Sequence, residues 1–178
     1  MLRLSTFLTP IFLFLLTASS TLHAAPPPIR VLVWDEQQPE QKRAYGDLFL
    51  GETIAAHLRT LPGLEVKTSN LAAPEQGVDE PTLDSTDVII WWGHVRNAAL
   101  TNANAERVAS RVRDGHLSLI ALHSAHWAKP FVRLMQDRAK ADALAQVPLA
   151  DRPNAQWEFL NEKTVYNAPK RDALLTPS

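Results

Sequence analysis

Three apolar runs stand out along the chain: Ile29-Arg30-Val31-Leu32-Val33-Trp34, Val88-Ile89-Ile90-Trp91-Trp92 and Leu117-Ser118-Leu119-Ile120-Ala121-Leu122. None alternates cleanly between apolar and polar positions, and bounded apolar runs of this kind belong to strands buried on both faces. A shorter run, Leu64-Glu65-Val66-Lys67, follows Pro62-Gly63 and reads as another strand. Between the runs the apolar spacing is helical. Residues 48–60 put Gly51, Ile54, Ala55 and Leu58 on one face, with Leu61 continuing it and Pro62-Gly63 as a stop. Residues 102–114 carry a stripe of Ala105, Val108, Ala109 and Val112 that Gly115 ends. A further helix is expected around 131–138, residues 139–149 also suit a helix, and 151–178, with Pro153, Pro169 and Pro177, reads as irregular.

Strand and helix therefore alternate, which predicts an α/β fold: a doubly wound parallel sheet with helices on both faces, joined by right-handed crossovers. Ligands of such folds bind beyond the carboxyl ends of the strands. Three of these ends carry polar groups: Trp34-Asp35-Glu36, Trp92-Gly93-His94 and His123-Ser124-Ala125-His126.

The N-terminus changes the picture of location. Arg3 precedes an almost wholly apolar stretch over 7–18, too short to span a bilayer comfortably, and Leu22-His23-Ala24 offers a cleavage site. Residues 1–24 are read as a signal peptide, 25–28 as a Pro-rich spacer and 29–178 as one domain, exported to the periplasm or secreted; an uncleaved anchor is the alternative. No other segment suits a membrane span. The chain has no cysteine, so an exported domain must rely on its core, and no thiol nucleophile exists. The net charge is −1 with both signs interspersed, which argues against nucleic acid as a partner.

Among the strand ends, Leu122-His123-Ser124-Ala125-His126 resembles a nucleophile elbow in position, making Ser124 a candidate nucleophile. The alternative is a turn or N-cap serine, since serine is favoured at caps and bulky His123 and His126 flank the position. His123 and His126, at i and i+3, together with His94 are candidates for proton transfer. Glu36 or Asp35 would add a carboxylate. His94 and His126 are also compatible with a zinc or other divalent metal site, though their spacing matches no specific zinc signature. Equally, the histidines can simply hydrogen-bond backbone groups near strand ends. Trp34, Trp91 and Trp92 can stack on a pyranose in an aromatic-walled pocket, or some of them can fill the core.

With those residues placed, the chain from Ile29 to about Met135 resembles the ThuA-like, or trehalose-utilisation, family. The stretches that carry the likeness are Val31-Leu32-Val33-Trp34-Asp35-Glu36, Tyr45 followed by Gly51 and Ile54-Ala55, Asp87 through His94, Leu122 through His126, and Lys129-Pro130-Phe131 with Leu134-Met135. The resemblance implies a flavodoxin-like sheet of the class I glutamine amidotransferase type. It also implies a role in disaccharide or keto-sugar catabolism, with Tyr45, Trp34, Asp35, Trp91 and Trp92 facing a small-molecule sugar. Amidotransferase chemistry is not implied, because Ser124 stands where that superfamily has its cysteine. Two positions depart from the family pattern, Asp35 in place of a frequent Asn and Leu50 in place of a His. Family members also continue for roughly another hundred residues, an ordinary length for one α/β domain; the chain is thus expected to be C-terminally incomplete. The functional expectation is a sugar-processing enzyme with Glu36, His94, His123, His126 and Ser124 as catalytic candidates. Its alternatives are a non-catalytic carbohydrate-binding domain or an inactive fragment.

Overall fold

The computed structural model describes residues 26–158; the predicted signal peptide, and residues 159–178 of the predicted irregular tail, lie outside the described residues. The first apolar run forms β1 (Ile29–Asp35), flanked by β2 (Leu64–Asn70) and β3 (Val88–Trp92), with β4 (Ser118–Leu122) beyond β3. Every pairing is parallel and the order is β2-β1-β3-β4. This is the predicted α/β class, with a strand order that follows the flavodoxin-like arrangement.

Among the described residues four α-helices form: α1 (Leu50–Leu58), α2 (Glu80–Asp84), α3 (Asn102–Arg113) and α4 (Lys129–Ala145). Alternate side chains of a strand point to opposite faces. Val31 and Val33 consequently meet Ala55, Ile54 and Leu58 of α1 on one face. Leu32, Trp34, Ile89 and Trp91 meet Leu83 of α2 and Ala105 and Val108 of α3 on the other. Burying each large side chain of this set stabilises the fold by about 1.5–3 kcal/mol before chain entropy is counted. Helix α4 packs against α3 instead of lying on the sheet. The N-caps are Asp79, whose Oδ1 accepts the Thr82 N–H at 2.9 Å, and Thr101, whose Oγ1 accepts the Asn104 N–H at 3.1 Å. Gly115 ends α3 at φ +76°, where an L side chain would be strained.

Three differences from the sequence reading have simple causes. Burial on both faces fits the centre of β1 but not β4, where Ile120 is 47% exposed because β4 is an edge strand. Apolarity of a run does not reveal its place in a sheet. The predicted helix at 131–138 and the 139–149 stretch as far as Ala145 form the single helix α4, and residues 146–149 lie beyond its end. Helix α2 is only five residues long, too short to leave a periodic stripe. Among the described residues no helix is long and apolar enough to cross a membrane.

Candidate functional site

The chain passes from β1 outward to β2 and then crosses to β3 on the opposite side of β1, so the crevice of this sheet lies at the carboxyl ends of β1 and β3. Glu36 follows β1 there, and its N–H donates to the Trp92 carbonyl at 3.2 Å. Its side chain is fully buried. One carboxylate oxygen accepts the Val95 N–H at 2.9 Å and the other the Arg96 N–H at 2.9 Å, with the Gln38 side-chain amide as a third donor. Glu36 thus lashes down the loop that carries His94. Its oxygens accept from these three amides, which makes Glu36 a positioning group for that loop. Gly93 permits the close approach: a Cβ there would lie 2.5 Å from Asn97 Oδ1 and 3.5 Å from Glu36 Oε2.

At the end of β4 the chain enters a 3-10 turn, His123–Trp127. His123 has φ +48°, a left-handed conformation that is uncommon and costly for a non-glycine residue. The sharp turn after the strand is therefore made at His123, one residue before Ser124. Ser124 is buried, and no helix cap is made by its hydroxyl. Its Oγ instead lies 2.6 Å from Nδ1 of His94 and 2.6 Å from Nδ1 of His123. The two imidazole rings are 6.1 Å apart, and the Trp92 ring stands 6.2 Å from His94 and 5.9 Å from His123. Both imidazoles are exposed, whereas Trp92 is buried behind them.

Asn97, which the sequence did not single out, joins the two loops. Its Nδ2 donates to the carbonyls of His94 at 3.2 Å and Ser124 at 3.4 Å. Its Oδ1 is buried without a hydrogen-bond partner among the described residues. An asparagine in a loop carries no periodic or motif signal, so only the fold reveals this bridge.

His126 turns away from the pair. Its Nδ1 lies 3.0 Å from the His123 carbonyl and its ring 5.0 Å from that of Trp127. Among the described residues no group of three or more His, Asp or Glu side chains is placed to hold a metal ion. No third such side chain completes a metal site with His94 and His126 among the described residues.

Two of the three predicted sugar-facing tryptophans belong to the core. Trp34 and Trp91 sit opposite each other on β1 and β3, stacked at 3.9 Å and 21°, and are only 2% and 1% exposed. The Trp34 indole N–H donates to the Gln76 carbonyl at 2.8 Å. Trp92, on the opposite face, donates to Gln41 Oε1 at 3.3 Å and walls the imidazole pair. Asp35 is also withdrawn from any ligand: its Oδ1 accepts the Gln37 N–H and its Oδ2 the Gly51 N–H, each at 2.6 Å, which caps α1. Burial pushes its carboxyl above the ordinary range, against the opposing pull of these two N–H groups. Tyr45 is exposed, and among the described residues no hydrogen bond or ring contact joins its side chain to the imidazoles. Trp127, whose ring meets that of His126, is 69% exposed.

The assembled site is thus a buried hydroxyl between two exposed imidazoles, backed by one indole and held by Glu36 and Asn97. Such a set can both accept and donate a proton. No protein-family model matches the chain, and no curated protein shows significant similarity to it.

Proposed function

We propose that the protein is an exported enzyme of disaccharide or keto-sugar utilisation, of the ThuA-like, trehalose-type kind and without amidotransferase activity, that moves a proton at a carbon next to a carbonyl. The observation that carries this reading is the Ser124 hydroxyl within 2.6 Å of both His94 and His123. Removing a proton beside a keto group needs a base that is neutral near physiological pH, and it needs a donor for the oxygen that gains charge. Two imidazoles on one hydroxyl supply both from the same side of the crevice. The apolar N-terminal stretch followed by small residues supports export.

The reading is tested by incubating the protein with a panel of keto-disaccharides in D2O and following deuterium entry beside the carbonyl. Wild type is expected to exchange, and His94→Gln and His123→Gln are each expected to slow exchange by about 100-fold. Exchange undiminished in both variants would remove the two imidazoles from the chemistry. The exposed Trp127 indole next to His126 favours a second reading, a carbohydrate-binding module. Calorimetric sugar binding that Trp127→Ala abolishes, with no exchange in any protein, would establish it.

A further inference from the structure

We infer that the Ser124 hydroxyl locks the neutral His94 and His123 rings into opposite tautomers, so that the neutral pair presents one basic and one acidic Nε2. Serine has one O–H hydrogen and two acceptor lone pairs, while a neutral imidazole carries one N–H. With both Nδ1 atoms 2.6 Å from the same Oγ, two bare Nδ1 atoms would require two hydroxyl hydrogens. Two Nδ1–H groups would leave the buried O–H without an acceptor, because Oγ has no other hydrogen-bond partner among the described residues. One Nδ1 therefore donates to Oγ and the other accepts from it. The ring that donates through Nδ1 has a bare, basic Nε2; the ring that accepts keeps Nε2–H. Neither Nε2 is engaged by another described residue, and both rings are exposed, so the acid and the base are both open to a ligand.

Resting on the proton-transfer reading above, the bridge also specifies the reaction. In one step the bare Nε2 takes the C–H proton next to the substrate carbonyl, and the C–H electron pair becomes the C=C bond of an enediol. That ring's Nδ1 proton passes to Oγ, the Oγ proton passes to the second Nδ1, and the second ring's Nε2 proton goes to the carbonyl oxygen. Both rings finish neutral with their tautomers exchanged. The newly bare Nε2 then takes the proton of the other enediol oxygen while the first ring returns its proton to the neighbouring carbon, which restores the starting state. The sequence shifts a carbonyl by one carbon in an α-hydroxy ketone or aldehyde and consumes no co-reactant. The substrate class is thus a hydroxy-keto sugar, and Ser124 is a positioning and relay group, not a nucleophile.

Long-range proton–nitrogen correlation on the 15N-labelled full chain at neutral pH reads the tautomers directly. Wild type is expected to show one of the two rings protonated at Nδ1 and the other at Nε2, or both averaged to the midpoint if they interconvert quickly. Ser124→Ala is expected to move both to the same Nε2–H tautomer, and Ser124→Thr to restore the split. Matching tautomers in wild type, or nitrogen shifts unmoved in Ser124→Ala, would overturn the coupling whatever the activity. In the deuterium assay Ser124→Ala is expected to lose about 100-fold in kcat with KM unchanged. Split tautomers with no exchange on any keto-sugar would reject the proton-transfer reading and leave the coupling standing.

Discussion

The Cα of Gly51 lies directly against the side chain of Asp35: a Cβ built on the glycine would fall 2.7 Å from Asp35 Cβ and 3.0 Å from its Oδ2. The same proximity lets Oδ2 accept the Gly51 N–H at 2.6 Å and cap the first turn of α1. Because Asp35 Cβ is tied to the backbone of β1, it has no room to yield. Gly51→Ala is expected to destabilise the protein by about 1–3 kcal/mol through overpacking, measured as a lower urea midpoint at unchanged slope. An unshifted midpoint would mean that helix and strand separate more easily than this contact implies.

Asp35 and Asp87 are expected to give pH dependences of opposite sign. Side-chain and backbone hydrogen bonds from Arg30 hold the Asp87 carboxyl at about 2, below its ordinary value of 3.8. Its contribution is complete above 3.8 and is lost as pH falls toward 2. Burial raises the Asp35 carboxyl, so its contribution is complete below 3.8 and is lost as pH rises through the folded value. The stability gap between wild type and Asp87→Asn should close on acidification, and the gap to Asp35→Asn should narrow as pH rises. Parallel curves for either pair would refute the assigned cause.

Glu36 and Asn97 should be separable by what each loses. Glu36→Ala takes a buried carboxylate away from the Val95 and Arg96 N–H groups and is expected to cost roughly 2–3 kcal/mol, read by denaturant unfolding. Asn97→Ala removes only the two long bonds to the His94 and Ser124 carbonyls. It should cost about 1 kcal/mol in stability and lower kcat for deuterium exchange more than it changes KM. A kcat that stays at the wild-type value would show that the loops hold the imidazoles without it.

The tryptophans should divide by depth. Trp34→Ala or Trp91→Ala opens a core cavity and is expected to cost about 3–5 kcal/mol with no change in sugar selectivity of the folded fraction. Trp127→Ala, on an exposed ring, should stay within about 0.5 kcal/mol of wild type and weaken sugar binding in calorimetry. The reverse pattern would place the sugar on the buried pair.

Much of the fold was legible because the strand signals are bounded apolar runs and the helical stripes are regular. The runs that became β1 and β3 needed only to be more apolar than their surroundings, and Pro62-Gly63 and Gly115 punctuated the helices. The site was less legible. His94, His123 and Ser124 could be named because they directly follow strands, but Asn97 could not, and nothing in the sequence says what the carboxylates of Glu36 and Asp35 bind. Their real partners are the Val95, Arg96, Gln37 and Gly51 amides, four backbone groups that leave no trace in residue type.

By itself, then, the sequence determined an α/β chain whose polar residues gather at the carboxyl ends of parallel strands, because periodicity and punctuation are local properties. Only the tertiary structure decided which groups share a face or a proton. The alternation of a strand sent Trp34 and Trp91 into the core and Trp92 toward the imidazoles, a choice set by which face each helix covers. The left-handed turn at His123 brought its Nδ1 and that of His94, thirty residues earlier by Ser124's count, onto one hydroxyl, and only the packing of three strand ends can bring such distant groups within a hydrogen bond.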